Sequence, residues 1–366
     1  MDVEFLAENI ENLIPLLIKT LPIHSPVPIL SSILIQADTK GFFLSATDLE
    51  LGTRVSIPAK IEKEGAVAVP GKQFLEAIAT IRKGKVKIIQ EGESIILTTQ
   101  GNKLIFQTIG KDEFPNLFEE KGKKTLSLTG KEVKRLFSKL TFAVAVDESR
   151  PELTGILLVE KEGEIHFVAT DGFRLSFQTK QGSIDGEEGI ILSSKLIQEL
   201  LSIKEEDQEI EMYVHKKANQ VLFETQNISL VGRLLGGEFP NYKKVIPTSY
   251  KTKAIVDKED FLQKLKLSSV FARESANITK ISIKNGTMFL FSKSNGLGEG
   301  SAEMEVTQEG EDNEIAFNIK FLLDLLRSVE AETVIMELNS PLEPALFKTE
   351  KDAGFLHVIM PVRIQE

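Results

Sequence analysis

The chain has 366 residues, no cysteine and a formal charge of −10 at pH 7. The missing cysteines exclude disulfides, a thiolate nucleophile and Cys-ligated zinc or iron–sulfur centres. The acidic balance, taken alone, argues against a nucleic-acid partner. Residues 1–20 lack the basic head and long apolar run of a secretory leader, and no run approaches the length of a membrane span, so a soluble cytoplasmic protein is the expectation.

From the N-terminus, Glu4–Leu6 reads as a strand. Residues 7–20 read as a helix with Ile10, Leu13, Ile14 and Leu17 on one face, kinked or loosened at Pro15. The proline-bounded loop 22–28 cannot be helical. Strands follow at 29–36, 41–47, 52–59 and 67–70, then a helix over 71–85 and strands near 86–89, 95–98 and 103–109. The same order of strand, helix and three strands, twice over, returns from Thr125, with helices at 130–140 and 194–206. It returns again from Lys253, with helices at 258–267 and 318–328. The length and this recurrence define three domains, 1–121, 122–247 and 248–366. The fold class is α+β: each domain places two helices on antiparallel sheets whose apolar faces need cover.

The second helix of each domain opens on a lysine: Lys72, Lys195 and Lys320. The helix dipole disfavours a cation there, so its threefold recurrence points to an anionic partner; a solvated lysine copied with its repeat is the plainer alternative. The six helical segments together carry a net charge of +6, which leaves −16 on the remaining residues. Helices that face an anion, on a scaffold that repels one elsewhere, fit this split.

Catalytic signatures do not emerge. There is no P-loop or dinucleotide fingerprint and no nucleophile elbow. The four histidines, His24, His166, His215 and His357, are too scattered for a metal site. Asp171, ahead of Gly172, reads as a turn residue. No cofactor or metal is expected. Two apolar-and-basic stretches remain, 170–175 and 358–364. A chain end this apolar is docked, either as a last strand or as one wall of a groove for peptides.

The ordered set Pro28-Ile29-Leu30, Thr47-Asp48-Leu49-Glu50, Val69-Pro70, Asp112–Leu117, Ala169–Leu175, Gly237–Tyr242, Phe317-Asn318 and Met360–Arg363 resembles the bacterial DNA polymerase III β subunit family, the sliding clamps, over the whole chain. The resemblance implies a non-enzymatic DNA-clamp fold that closes as a head-to-tail homodimer ring, helices inside and sheets outside. It implies double-stranded DNA in the hole, held without sequence readout. It also implies a groove that receives peptides from the replicative polymerase catalytic subunit, the clamp loader and repair proteins.

Carried onto this sequence, the groove comprises Leu153, Thr170, Gly172, Phe173, Arg174, Leu175, Pro240, Lys244, Val245, Met360, Pro361, Val362 and Arg363. The DNA-facing residues are Lys72, Lys195 and Lys320, with Arg150 and His24 as loop candidates. The dimer contact joins Leu104 and Phe106 to Val270 and Phe271, expected after the first helix of the third domain. The alternative is a monomeric peptide-binding adaptor of the same fold. A stable mass near twice 40.7 kDa favours the ring.

Overall fold

The computed structural model describes residues 1–117, 121–184, 189–274, 276–294 and 296–364. Six α-helices occur among them: α1 (Ile14–Thr20), α2 (Gly71–Thr80), α3 (Gly130–Phe137), α4 (Ser194–Leu200), α5 (Lys258–Ala272) and α6 (Ile319–Ser328). Their starts follow from local chemistry. At α3, the Thr129 N–H donates to Glu132 Oε2 (2.9 Å) and the Glu132 N–H to Thr129 Oγ1 (3.2 Å), a reciprocal cap. Asp257 and Asn318 accept from the Asp260 and Lys320 N–H groups at α5 and α6. Pro15 lies in the first turn of α1, where its missing N–H costs nothing, and residues before it form a 3-10 turn at Ala7–Asn9 instead of helix.

The chain divides into two compact units, residues 1–133 with 195–234 and residues 134–194 with 235–366. In the first, the strands 59–63, 2–6, 85–91, 94–99 and 102–107 form one antiparallel sheet in that order. A second sheet runs 65–70, 32–38, 41–47, 51–57 and continues into 228–235, 220–224, 209–215 and 123–129. The join is the pairing of Val55 with Ile228 through Leu51 with Gly232.

The second unit repeats this design. Strands 190–193, 155–161, 164–170 and 174–181 continue into 355–359, 345–349, 333–338, 252–257 and 307–310. There the join pairs Arg174 with Ile359 through Gln178 with Phe355. A separate sheet orders 298–305, 287–294, 278–284 and 313–318. Nine phenylalanines are the largest fully buried side chains; Phe137 meets Phe167 edge-on at 5.4 Å, and Phe317 meets Phe347 at 6.0 Å.

Several boundaries differ from the sequence expectation. α2 stops at Thr80, whose hydroxyl donates to the Ala77 carbonyl, and Ile81 is already extended. α4 stops at Leu200. α5 runs on to Ala272, so Val270 and Phe271 lie in its last turn and not beyond it. The strands 59–63 and 307–310 were not expected as separate elements. Over their observed spans the six helices still hold eleven Lys/Arg against six Asp/Glu. No helix among the described residues is long and apolar enough to cross a membrane.

Candidate peptide-binding groove

The turn between strands 164–170 and 174–181 is built by its own side chains. Asp171 Oδ1 accepts from the Phe173 and Arg174 N–H groups, each at 2.9 Å. The Thr170 hydroxyl donates to the Arg174 carbonyl (2.7 Å) and accepts from the Gly172 N–H (3.0 Å). Gly172 sits at φ +90°, which favours glycine. These bonds leave Phe173 64% exposed at the tip.

The Arg174 guanidinium acts as a strut. Its Nε donates to Asp171 Oδ2 (3.0 Å) and its Nη1 to Asp324 Oδ2 (2.7 Å), and the group lies over the Phe321 ring at 4.5 Å. The last strand, 355–359, docks beside Arg174–Gln178, and the Met360 N–H then donates to the Phe173 carbonyl (2.9 Å).

These elements surround a cavity of about 190 Å³. Nine of the expected groove residues line it: Leu153, Thr170, Gly172, Phe173, Arg174, Leu175, Pro240, Val245 and Met360. Lys244, Pro361, Val362 and Arg363 do not. The chain leaves the groove after Met360 because the Val362 N–H donates to the Ala316 carbonyl (2.8 Å). Val362 and Arg363 border a different cavity, against strands 278–284, 287–294 and 313–318. Arg150, assigned from sequence to DNA, lines the groove, with its Nη2 3.5 Å from where a Cβ on Gly172 would lie.

Asn241, Tyr242 and Val358 also line it and were missed. Tyr242 follows the Phe239-Pro240 pair, and Val358 precedes Met360 by two, the strand period that puts both on one face. The Tyr242 hydroxyl lies 2.7 Å from His166 Nδ1, and burial raises the Tyr242 pKa and lowers that of His166. Beneath, Leu157, Val168, Leu175, Leu346 and Val358 form an apolar bed.

His357 ties the last strand to the groove. It is fully buried, its Nδ1 is 2.7 Å from Ser176 Oγ, and its Nε2 has no partner among the described residues. Burial, aided by the Arg174 charge, pushes its pKa down to about 3. A folded value below the unfolded 6.5 means that stability is complete above pH 6.5 and falls as the pH drops from there toward about 3. Below pH 6.5 unfolding free energy should fall by roughly 1.4 kcal/mol per pH unit on this account, with His166 adding in the same direction. His357→Gln should flatten that slope in denaturant titrations between pH 6.5 and 4.5; an unchanged slope would remove His357 as its source.

The other expected sites are placed as follows. Lys72, Lys195 and Lys320 are each the second residue of their helix, and all are exposed. Lys195 Nζ is bonded to Asp48. His24 is exposed on the loop after α1. Leu104 and Phe106 lie on the edge strand 102–107, with Phe106 edge-on to Phe74 at 5.6 Å. Phe271 leans on strand 298–305, where a Cβ on Gly300 would lie 2.6 Å from its ring. Among the described residues, no group of three or more His, Asp or Glu side chains could hold a metal.

Helix-on-sheet repeats joined through continuous sheets, with an apolar groove, define the DNA-clamp class of fold. The DNA polymerase III beta subunit matches through its N-terminal domain over residues 4–118, its central domain over 127–241 and its C-terminal domain over 243–363. A beta sliding clamp of Chlamydia muridarum is 30% identical over 358 residues, 97% of each chain. The crystal structure of the DNA polymerase III beta subunit of Thermotoga maritima superposes with a TM-score of 0.90 at 29% identity, and that of the sliding clamp of Bacillus subtilis with 0.93 at 25%, each covering 100% of both chains. The chain belongs to the DNA polymerase III beta subunit family, the beta sliding clamps, which serve replication as processivity factors and not as enzymes.

Proposed function

We propose that the chain, as domains 1–121, 122–247 and 248–366, closes head to tail with a second copy into a ring around duplex DNA, in the bacterial cytoplasm. The groove then tethers the replicative polymerase catalytic subunit, the clamp loader and repair proteins by short peptides. The observation that carries the reading is the convergence of 150–153, 170–175, 240–245 and 358–360 on one apolar cavity. Leucine and phenylalanine anchors would fill it, and burying two would contribute roughly 3–6 kcal/mol before ordering costs, which suits exchange among clients.

Lys72, Lys195 and Lys320 contact phosphates in this reading, with His24 as a further loop contact. The Lys195–Asp48 pair is exposed on the lysine side and yields readily to a phosphate. Arg150 is better used in the groove it lines. The dimer joins the edge strand 102–107, with Leu104 and Phe106, to the partner's Val270–Phe271 face.

The deciding experiment loads the protein on closed circular DNA. A ring stays bound and leaves when the circle is cut; a monomeric adaptor is never retained. Changing Lys72, Lys195 and Lys320 together to glutamate should lower the salt slope of DNA binding by about one unit per lost contact. The dimer and peptide binding should be unaffected. Unchanged DNA binding at low salt would place the lysines away from DNA.

A further inference from the structure

One place on the sheets recurs in all three domains and is covered in only two of them. Leu34 pairs with Ala68, Leu157 with Ile191 and Lys280 with Ala316, the same position of the repeat each time. In the N-terminal domain Phe114 packs with Leu34 and Ala68; in the central domain Phe239 and Tyr242 pack with Leu157 and Ile191. Phe114 and Tyr242 are each only 8% exposed. Both covers belong to one motif, Glu113-Phe114-Pro115-Asn116 and Glu238-Phe239-Pro240-Asn241, which follows the strands 102–107 and 228–235. In the C-terminal domain Lys280 and Ala316 border an open cavity of about 750 Å³ instead.

We propose that this cavity docks a partner segment in which an acidic residue precedes an aromatic residue and a proline, supplied by another chain where the first two domains supply their own. The surface fits that chemistry. Ile278, Phe291 and Ala316 line it, with the Phe291 ring 39% exposed, ready to receive a second ring. Leu342, 60% exposed, stands on one side, with Val362 and Ile364 among the other lining residues. The Val362 N–H donates to the Ala316 carbonyl (2.8 Å), which fixes that part of the wall at the edge of the sheet. Charge selects the acidic residue. Where the first two domains have Leu34 and Leu157, this one has Lys280, whose stem covers apolar surface while its head reaches outward. Glu314 is the one carboxylate among the described lining residues, and it is paired with Lys280. Lys293 and Arg363, both exposed, leave the rim positive. A volume of this order takes an aromatic side chain and its neighbours. The cavity shares no lining residue with the peptide groove, so it does not depend on that reading.

The test titrates the full chain with N-acetyl-Gly-Glu-Phe-Pro-Asn-Tyr-amide, a copy of the central domain's own cover, and reads methyl shifts by NMR. Shifts should appear at Ile278, Ala316 and Val362, and a leucine- and phenylalanine-bearing groove peptide should not displace the probe. The same peptide with alanine for phenylalanine should bind at least about tenfold more weakly, and with lysine for glutamate about threefold more weakly. Phe291→Ser should weaken the probe about tenfold and Lys293→Glu about threefold, while both variants bind the groove peptide as before. Both residues are exposed, and the altered peptides test the same contacts on the unaltered chain. No binding at about 5 mM, shifts at Leu175 and Val358 in place of these, equal binding of the alanine peptide, or undiminished binding to Phe291→Ser would overturn the assignment.

Discussion

The Phe271→Asp variant is expected to sediment as a monomer at micromolar concentration, where the unaltered chain is a dimer, and to be lost from closed circular DNA. One sheet edge and one helix carry exposed apolar side chains. On strand 102–107, Leu104 is 39% and Ile105 58% exposed; on α5, Leu267 is 65% and Val270 55% exposed. Strand 298–305, against which Phe271 leans, is also an edge and carries Glu299, Glu303 and Glu305, while Lys103 lies on strand 102–107. An edge left apolar invites pairing, and opposite charges set its register. A carboxylate placed at the centre of that contact is buried without a partner, which costs at least about 2 kcal/mol at an interface anchor. The groove peptide should bind the monomer as before. A variant that remains dimeric would move the contact elsewhere.

The starts of α3, α5 and α6 were legible because they are local chemistry: Thr129 with Glu132, Asp257 and Asn318 each satisfy free N–H groups that any helix must expose, whereas α1, expected from residue 7, begins only at Ile14. Helix ends were less so. α5 continues through Ser268, Ser269 and Ala272, which are buried although two are polar, so an apolar stripe reads as ending too soon. Its extension carries Val270 and Phe271 into the helix, where Phe271 finds Gly300.

The groove shows the same division. The turn 170–174 was readable from Thr, Asp and Gly, which fold it by bonds within five residues. The path of the chain end was not. Val362 leaves the groove for the Ala316 carbonyl, 46 positions away in sequence, and no local pattern announces that bond. Arg174, expected in the groove, does line it. Its Nε and Nη1 donate to Asp171 and Asp324, the latter 150 positions away, a link that no local pattern announces.

Gly172→Leu should close the groove and weaken peptide binding by at least about tenfold, because the first unit already contains the closed form. There, 123 positions earlier, Leu49 occupies the place of Gly172 at φ +76°, and Leu51, Gly52 and Leu117 surround it. The construction is otherwise the same: the Arg233 N–H donates to the Glu50 carbonyl at 3.1 Å, as the Met360 N–H does to Phe173. Yet the space at Leu49 has no room for a water-sized group, where the cavity at Gly172 has about 190 Å³. Leu49 also shows that this backbone accepts a side chain at positive φ, so the variant should fold with a loss of roughly 1–2 kcal/mol. Gly172→Ala separates strain from occlusion. Its Cβ meets only Arg150 Nη2 at 3.5 Å, an ordinary contact, so it should lose stability but keep most peptide affinity. Removing residues 360–366 opens the opposite wall and should also abolish binding, with the dimer intact, since strand 355–359 remains paired. Fluorescence anisotropy with a leucine- and phenylalanine-bearing peptide reads all three. If Gly172→Leu and the truncated chain both bind that peptide as the unaltered chain does, the cavity between the 170–175 turn and Met360 is not where peptides dock.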